Sequence, residues 1–149
     1  MCLVKFMSLV EGTVVVMDLD RFEEMTITMG WDQYKPNVVT GTLTQLVEWF
    51  VRKWSAFVVY GLDSKRGTEE VVLEIPNVRP EELKDDLEYI RREINRLGAS
   101  ISIVAVYGFV GLKACRDRRE AYTATPTRRL ALKLLRKVKR MGGNRVLIS

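Results

Sequence analysis

The stretch Thr13-Val14-Val15-Val16-Met17-Asp18-Leu19-Asp20-Arg21-Phe22 decides the fold. From Thr13 to Met17 every residue is apolar or β-branched, with no polar alternation. A strand that is apolar on both sides is one covered on both faces, so the segment predicts a central, buried strand. It ends on two aspartates one residue apart. In an extended chain these point to the same face, about 7 Å apart at ~3.3 Å per residue. Two like charges so close favour protonation of one, unless a cation lies beside them. A divalent ion with oxygen ligands, Mg²⁺ or Mn²⁺, removes that cost, and the Leu19 carbonyl is a further oxygen within reach. Aspartate is also a common strand breaker and helix cap, and the pattern alone divides evenly between these readings. The buried strand before it favours chemistry, because functional loops sit at the carboxyl ends of core strands.

Outward from this strand, residues 23–30 are short and ambiguous, with Thr26, Ile27 and Thr28 favouring extended structure, and residues 31–40 read as loop. Thr42 caps a helix with Gln45 three residues on, and Leu43, Leu46, Val47, Phe50, Val51 and Trp54 form its apolar stripe. Residues 56–60 and 69–75 are two strands of a hairpin whose long tip covers 61–68. Pro80, Glu81 and Glu82 open the next helix, Leu83, Leu87, Ile90, Ile94 and Leu97 mark its core face, and Gly98 ends it. A fourth strand spans 100–107, and Gly108 and Gly111 open a long basic loop. Thr125-Pro126 starts the last helix, with Leu130, Leu134, Val138 and Met141 inward and Arg129, Lys133, Arg136, Lys137 and Arg140 outward. Gly142-Gly143 stops it before a terminal strand, Val146-Leu147-Ile148. The order predicts one α/β (α+β) domain over residues 1–149. Its expected architecture is ferredoxin-like, a mainly antiparallel sheet with helices on one face and the last strand added at an edge.

Composition narrows the chemistry. Histidine is absent from the 149 residues, which excludes histidine bases, triads and imidazole metal ligands. The two cysteines, Cys2 and Cys115, have no metal-type spacing and suit a reducing, cytoplasmic setting. No run of about 18 apolar residues exists to span a membrane, and the apolar residues 1–10 read as structure rather than a signal peptide. Residues 111–149 hold 12 of the 24 basic residues and only two acids, Asp117 and Glu120. This basic third implies an anionic partner, nucleotide or nucleic acid, or else a solvated helix face of the kind common in heat-adapted proteins.

Asp18-Leu19-Asp20-Arg21-Phe22, followed by Gly30, resembles the first metal motif of GGDEF-type diguanylate cyclases. The end of the chain, from Leu130 through Lys139-Arg140 to Gly142-Gly143-Asn144-Arg145-Val146, is similar to that family's closing helix and strand. Residues 100–105 fall where its fourth strand falls, and the element order agrees across nearly the whole chain. The resemblance implies the palm fold shared by class III nucleotidyl cyclases, nucleic-acid polymerases and archaeal GTP cyclohydrolase III. Met25-Thr26-Ile27-Thr28 looks more like the last of these.

The chain departs from the pattern at the hairpin, where the family carries Gly-Gly-Asp/Glu-Glu-Phe. Here the tip reads Tyr60-Gly61-Leu62-Asp63-Ser64-Lys65-Arg66-Gly67-Thr68-Glu69-Glu70, longer and one glycine short. Asp63 matches the third metal carboxylate, with Glu69 or Glu70 as substitutes, and the family's guanine-reading position falls at Thr26. The resemblance thus implies a nucleoside triphosphate, GTP favoured, and Mg²⁺ or Mn²⁺ held by Asp18, the Leu19 carbonyl, Asp20 and Asp63. Asp18 and Asp63 would be catalytic. Backbone amides of Asp20, Arg21, Phe22, Glu23 and Glu24 would take the terminal phosphates, with Thr26 beside the nucleotide and Lys139 or Arg140 neutralising charge. GTP cyclohydrolase III joins two palm domains in one chain, and a homodimer would replace that arrangement here. Two other readings stand beside this one. The altered hairpin fits an inactive relative that binds a nucleotide or a partner protein. The basic third fits a ferredoxin-like RNA-binding or nuclease module, although no aromatic pair sits on a strand to stack bases, Tyr107, Phe109 and Tyr122 being the substitutes.

Overall fold

The β-branched run forms β1 (Val10–Leu19), the middle strand of a sheet ordered β2-β3-β1-β4-β5. The other strands are β2 (Phe57–Tyr60), β3 (Glu70–Pro76), β4 (Ile101–Val110) and β5 (Val146–Ile148). This is a computed structural model that describes residues 10–32 and 36–149. Cys2, the reading of the apolar N-terminus as folded structure, and the centre of the loop expected over 31–40 lie outside the described residues. β1 runs antiparallel to β3 and β4, β2 is antiparallel to β3, and β5 joins the far edge parallel to β4. The first four strands have the ferredoxin-like order, and the edge position of the last is as expected.

The helices among the described residues are α1 (Phe22–Met29), α2 (Val38–Trp54), α3 (Pro80–Arg96), α4 (Arg118–Thr123) and α5 (Pro126–Arg140). They cover both faces of the sheet, not one. Val15, Met17 and Leu19 of β1 enter a core with Leu43, Val47 and Phe50 of α2 and Leu83, Leu87, Ile90 and Ile94 of α3. Val14 and Val16 enter a second core with Ala121 and Tyr122 of α4 and Ala131, Leu135 and Val138 of α5. Successive β1 side chains therefore belong to opposite cores, which is why the run shows no polar alternation. Each such side chain contributes roughly 1.5–3 kcal/mol on burial.

At four places the local structure departs from the expectation. Residues 22–29 are helical despite Thr26, Ile27 and Thr28, because left-handed residues bound them at both ends. Arg21 (φ 49°) turns the chain in, and Gly30 (φ 69°) turns it out while its amide and that of Trp31 close onto the Ile27 and Thr26 carbonyls. α2 starts at Val38 rather than after Thr42, because Asn37 is the better cap. Its Oδ1 accepts from the Val39 and Thr40 amides, and Thr40 Oγ1 accepts the Asn37 amide in return. The basic loop contains α4, capped by Asp117. On α5 the inward residues are Thr127, Arg128, Ala131, Leu135 and Val138, while Leu130 and Met141 are exposed. The helix is rolled because Thr127 sits against Gly108 of β4, where a Cβ would come within 2.7 Å of Thr127 Oγ1. Arg128 then points into the core, onto buried Glu74 of β3.

Candidate functional site

Asp20 is the knot of the site. It follows the last residue of β1, and its carboxylate is nearly buried. Oδ1 accepts from Lys139 Nζ at 2.7 Å and Ser102 Oγ at 2.6 Å. Oδ2 accepts from Ser100 Oγ at 2.9 Å and the Asn144 amide at 2.8 Å. Burial raises its pKa, but the bonds from Lys139, Ser102 and Ser100 outweigh burial and hold the group below the usual carboxylate value. Gly143 passes so close that a Cβ there would lie 2.7 Å from Asp20 Oδ2, and its φ of +70° also favours glycine. One side chain thus ties the end of β1 to β4, α5 and the α5–β5 turn.

Lys139 also donates to the Asp18 and Leu19 carbonyls at 3.2 Å each and lies 3.5 Å from Asp18 Oδ2. Asp18 is directly opposite Glu70 in the β1–β3 ladder, so the two carboxylates share a sheet face. Burial pushes the Asp18 pKa up to about 6, opposed by Lys139 and reinforced by Glu70. Glu70 itself is clamped. Arg118 of α4 donates to both of its oxygens at 2.7 and 3.1 Å, and the Tyr122 hydroxyl donates at 2.7 Å. The Arg118 guanidinium stacks 4.8 Å above the Tyr122 ring. Hydrogen bonding to Glu70 raises the Arg118 pKa, and burial raises that of Tyr122, which stays a neutral donor.

Asp18 and Glu70 open into a cavity of about 600 Å³ lined also by Phe22, Glu23, Thr26, Ile27, Arg66, Glu69 and Arg118. This volume is in the usual range for a small-molecule site. The first turn of α1 faces it, and no side chain caps that turn, so its leading amides are available to an anion. Thr26 reaches the same cavity, with its hydroxyl returned to the Phe22 carbonyl. Burial, with Glu70 and Glu23 nearby, raises the pKa of Glu69.

The hairpin tip is not a free loop. Thr68 Oγ1 pairs with Thr44 Oγ1 of α2 at 2.8 Å, and the Thr68 amide bonds the Thr40 carbonyl. A Cβ on Gly67 (φ +87°) would run into Thr40. These contacts press the returning limb onto α2 and deliver Glu69 and Glu70 to the end of β1. Asp63 is turned elsewhere. Its Oδ1 accepts the Lys65 and Arg66 amides, which hold its pKa below the usual value. It lines a neighbouring cavity of about 350 Å³ with Tyr60, Leu62 and Cys115.

Of the residues singled out in the sequence, the structure brings together Asp18, Phe22, Glu23 and Thr26 around the cavity, with Lys139 behind Asp18. Asp20 and the Leu19 carbonyl are engaged by Lys139 and face the packing rather than the cavity. Arg21 supplies the turn into α1. Asp63 and Arg140 lie outside the cavity. Arg118, Ser100 and Ser102 are site residues that the sequence does not single out, and Tyr122 stands there only as a base-stacking substitute; the serines alone carry a signal, two hydroxyls on one face of a strand beside the aspartates. Counted from the β2 end of the tip, Asp63 comes before Glu69 and Glu70 as the matching acid. Read from β3, Gly67-Thr68-Glu69-Glu70 has its acids directly before the strand.

Among the described residues no three carboxylate or cysteine side chains cluster as a metal site. An Mg²⁺ ion brought with phosphates needs only one or two protein carboxylates. Asp18 and Glu69 meet that need, being oxygen donors in one cavity, both raised in pKa by burial and so favoured to gain a cation.

No protein-family model and no curated protein matches the chain. Solved structures do. The GGDEF domain of DgcB from Caulobacter crescentus, in complex with c-di-GMP, superposes with a TM-score of 0.65 and 21% identity, covering 93% of this chain and 76% of that one. The coiled coil and GGDEF domain of the same protein gives 0.64 and 20%, over 94% and 70%. Diguanylate cyclase SiaD from Pseudomonas aeruginosa, in complex with its activator SiaC, gives 0.63 and 21%, over 93% of this chain and half of that one. The chain has the GGDEF-type palm fold, in a divergent sequence.

Proposed function

From this palm fold we propose that the chain binds a nucleoside triphosphate with Mg²⁺ or Mn²⁺ in the cavity at the end of β1. GTP is favoured over ATP because the DgcB relatives were solved with a guanine nucleotide. The observation that carries the reading is the meeting of half-buried Asp18 and Glu70 and exposed Glu69 with the uncapped start of α1 around one cavity. Asp18 and Glu69 would hold the divalent ion, which supplies charge neutralisation for the phosphates. The amides of the first α1 turn receive terminal phosphate oxygens, aided by the helix dipole. Lys139 fixes the Asp18 carboxylate and the Asp20 knot, and Arg118 fixes Glu70, so both act as positioning residues. Set against the Gly-Gly-Asp/Glu-Glu-Phe signature, Gly67-Thr68-Glu69-Glu70-Val71 keeps the first glycine and both acids.

A second reading, binding without turnover, is favoured by the clamp on Glu70, whose oxygens are taken by Arg118 and Tyr122. A thermal-shift screen of GTP and ATP with and without Mg²⁺ tests binding, since a ligand of the native state raises its melting temperature. A metal-dependent shift that disappears in Asp18→Ala is expected. No shift with any triphosphate would sink the proposal. Release of pyrophosphate or phosphate under the same conditions separates turnover from binding alone.

A further inference from the structure

A third concave surface lies between α4 and the outer face of α5, with a volume of about 490 Å³, lined by Tyr122, Thr123, Arg129, Leu132, Lys133, Arg136 and Arg140. Its cations recur at positions i, i+4, i+7 and i+11 of α5. They form one stripe, about one helical turn between neighbours and ~16 Å from end to end at 1.5 Å per residue. All four are exposed. Lys133, Arg136 and Arg140 make no ion pair or hydrogen bond among the described residues, and Arg129 is pinned at the entrance by donation to the Thr123 carbonyl at 2.8 Å. Of the two acids of the basic third, Glu120 is on α4 and Asp117 precedes it, committed to capping it. The stripe is therefore a row of uncompensated charge along a recess rather than a lattice of surface salt bridges, the arrangement a solvated, heat-adapted helix would show.

We propose that this groove binds the sugar–phosphate backbone of a single-stranded nucleic acid. A row of cations at a repeating spacing matches a chain of regularly spaced monoanions. Concavity separates this ligand from an anionic membrane, which demands apolar side chains standing proud of the charges. Here the apolar lining is the floor, with Leu132 half-buried and Tyr122 buried. Tyr122 spends its hydroxyl on Glu70 and offers no free ring for base stacking, so the contacts are to phosphate and independent of sequence. The site stands apart from the nucleotide cavity and does not rest on it.

The test is fluorescence anisotropy of the full chain with a labelled oligouridine of about 12 nucleotides, titrated at salt from about 50 to 200 mM. Single strands lose about 0.7 in log-log slope per phosphate neutralised, so four contacts predict a slope near −3. Lys133→Gln with Arg136→Gln should halve that slope and weaken binding at least tenfold. Lys84→Gln with Arg92→Gln, exposed on α3 across the sheet, removes equal charge and should change affinity less than twofold. Asp18→Ala should leave binding intact. Equal losses in the two double variants would reduce the effect to net charge and overturn the groove, as would loss in Asp18→Ala or no binding at the lowest salt. Binding to vesicles doped with about one-third phosphatidylglycerol, but not to the oligonucleotide, would overturn it in favour of a membrane.

Discussion

Asp18 and Asp20 are two residues apart and titrate in opposite senses. The folded protein holds the Asp18 pKa at about 6 against an ordinary 3.8, so folding favours its protonated form. In metal-free protein that advantage is complete below 3.8 and is lost as pH rises through 6. The full interval is worth ~3 kcal/mol, and partial solvent screening lowers the expected figure to about 1–2 kcal/mol. Asp18→Asn should therefore raise the melting temperature at pH near 8 in chelator, give no gain at pH below about 4, and abolish the metal-dependent nucleotide shift. A loss of stability at the higher pH would show that pairing with Lys139 outweighs burial. Asp20 runs the other way. Its lowered pKa stabilises the fold above the ordinary 3.8, and this is lost as pH falls through the lowered value. Asp20→Ala strips Lys139 of its shortest contact and leaves two serines and the Asn144 amide without their acceptor, and is expected to cost about 2–4 kcal/mol in a urea titration. Stability within about 0.5 kcal/mol of the parent would show that the knot is dispensable.

At the scale of elements, the site depends on how the hairpin's returning limb is seated on α2. Thr68→Val keeps the shape but removes the hydroxyl shared with Thr44 and the Asp63 amide. It should cost about 1–2 kcal/mol and weaken metal-dependent nucleotide binding, because Glu69 follows it directly. Unchanged affinity with reduced stability would detach the seat from the site. This seat was invisible in the sequence, since Thr40, Thr44 and Thr68 are ordinary residues until α2 and the tip meet. β1 and α3 were legible because their apolar runs and periods are long and uninterrupted. α1 was not, because two left-handed residues override the β-propensity of Thr26-Ile27-Thr28. The inward face of α5 is likewise not legible in the sequence. Two leucine series compete there, and contacts from distant residues, Gly108 with Thr127 and Glu74 with Arg128, select between them.

At the scale of the molecule, the pair Arg128–Glu74 joins the outer helix layer to the sheet at 1% and 0% side-chain exposure. Glu74 also accepts the Leu112 amide at 2.6 Å, and Arg128 donates to the Lys113 carbonyl, so the pair anchors the strap leaving β4. Arg128→Leu alone should cost about 3–5 kcal/mol by stranding a buried carboxylate, while adding Glu74→Leu should recover much of it. A double variant no more stable than the single would mean that the strap, not the charge pair, dominates. A charged pair inside a helix-covered sheet was beyond reach of the sequence, which placed Arg128 only in a basic run. The central strand and element order were legible, whereas α4 lay hidden in the basic segment expected to be loop. The Asp20 knot has a further consequence for biosynthesis. Its partners Lys139 and Asn144 lie 119 and 124 residues downstream, so a nascent chain exposes an unfinished β4 edge and an unbraced Asp18 until Lys139 and Asn144 emerge. Ribosome-stalled chains ending before Lys139 should be cleaved readily by protease, and resistance should arrive abruptly once Asn144 clears the exit tunnel. Early resistance would show that the first four strands mature without their last tie.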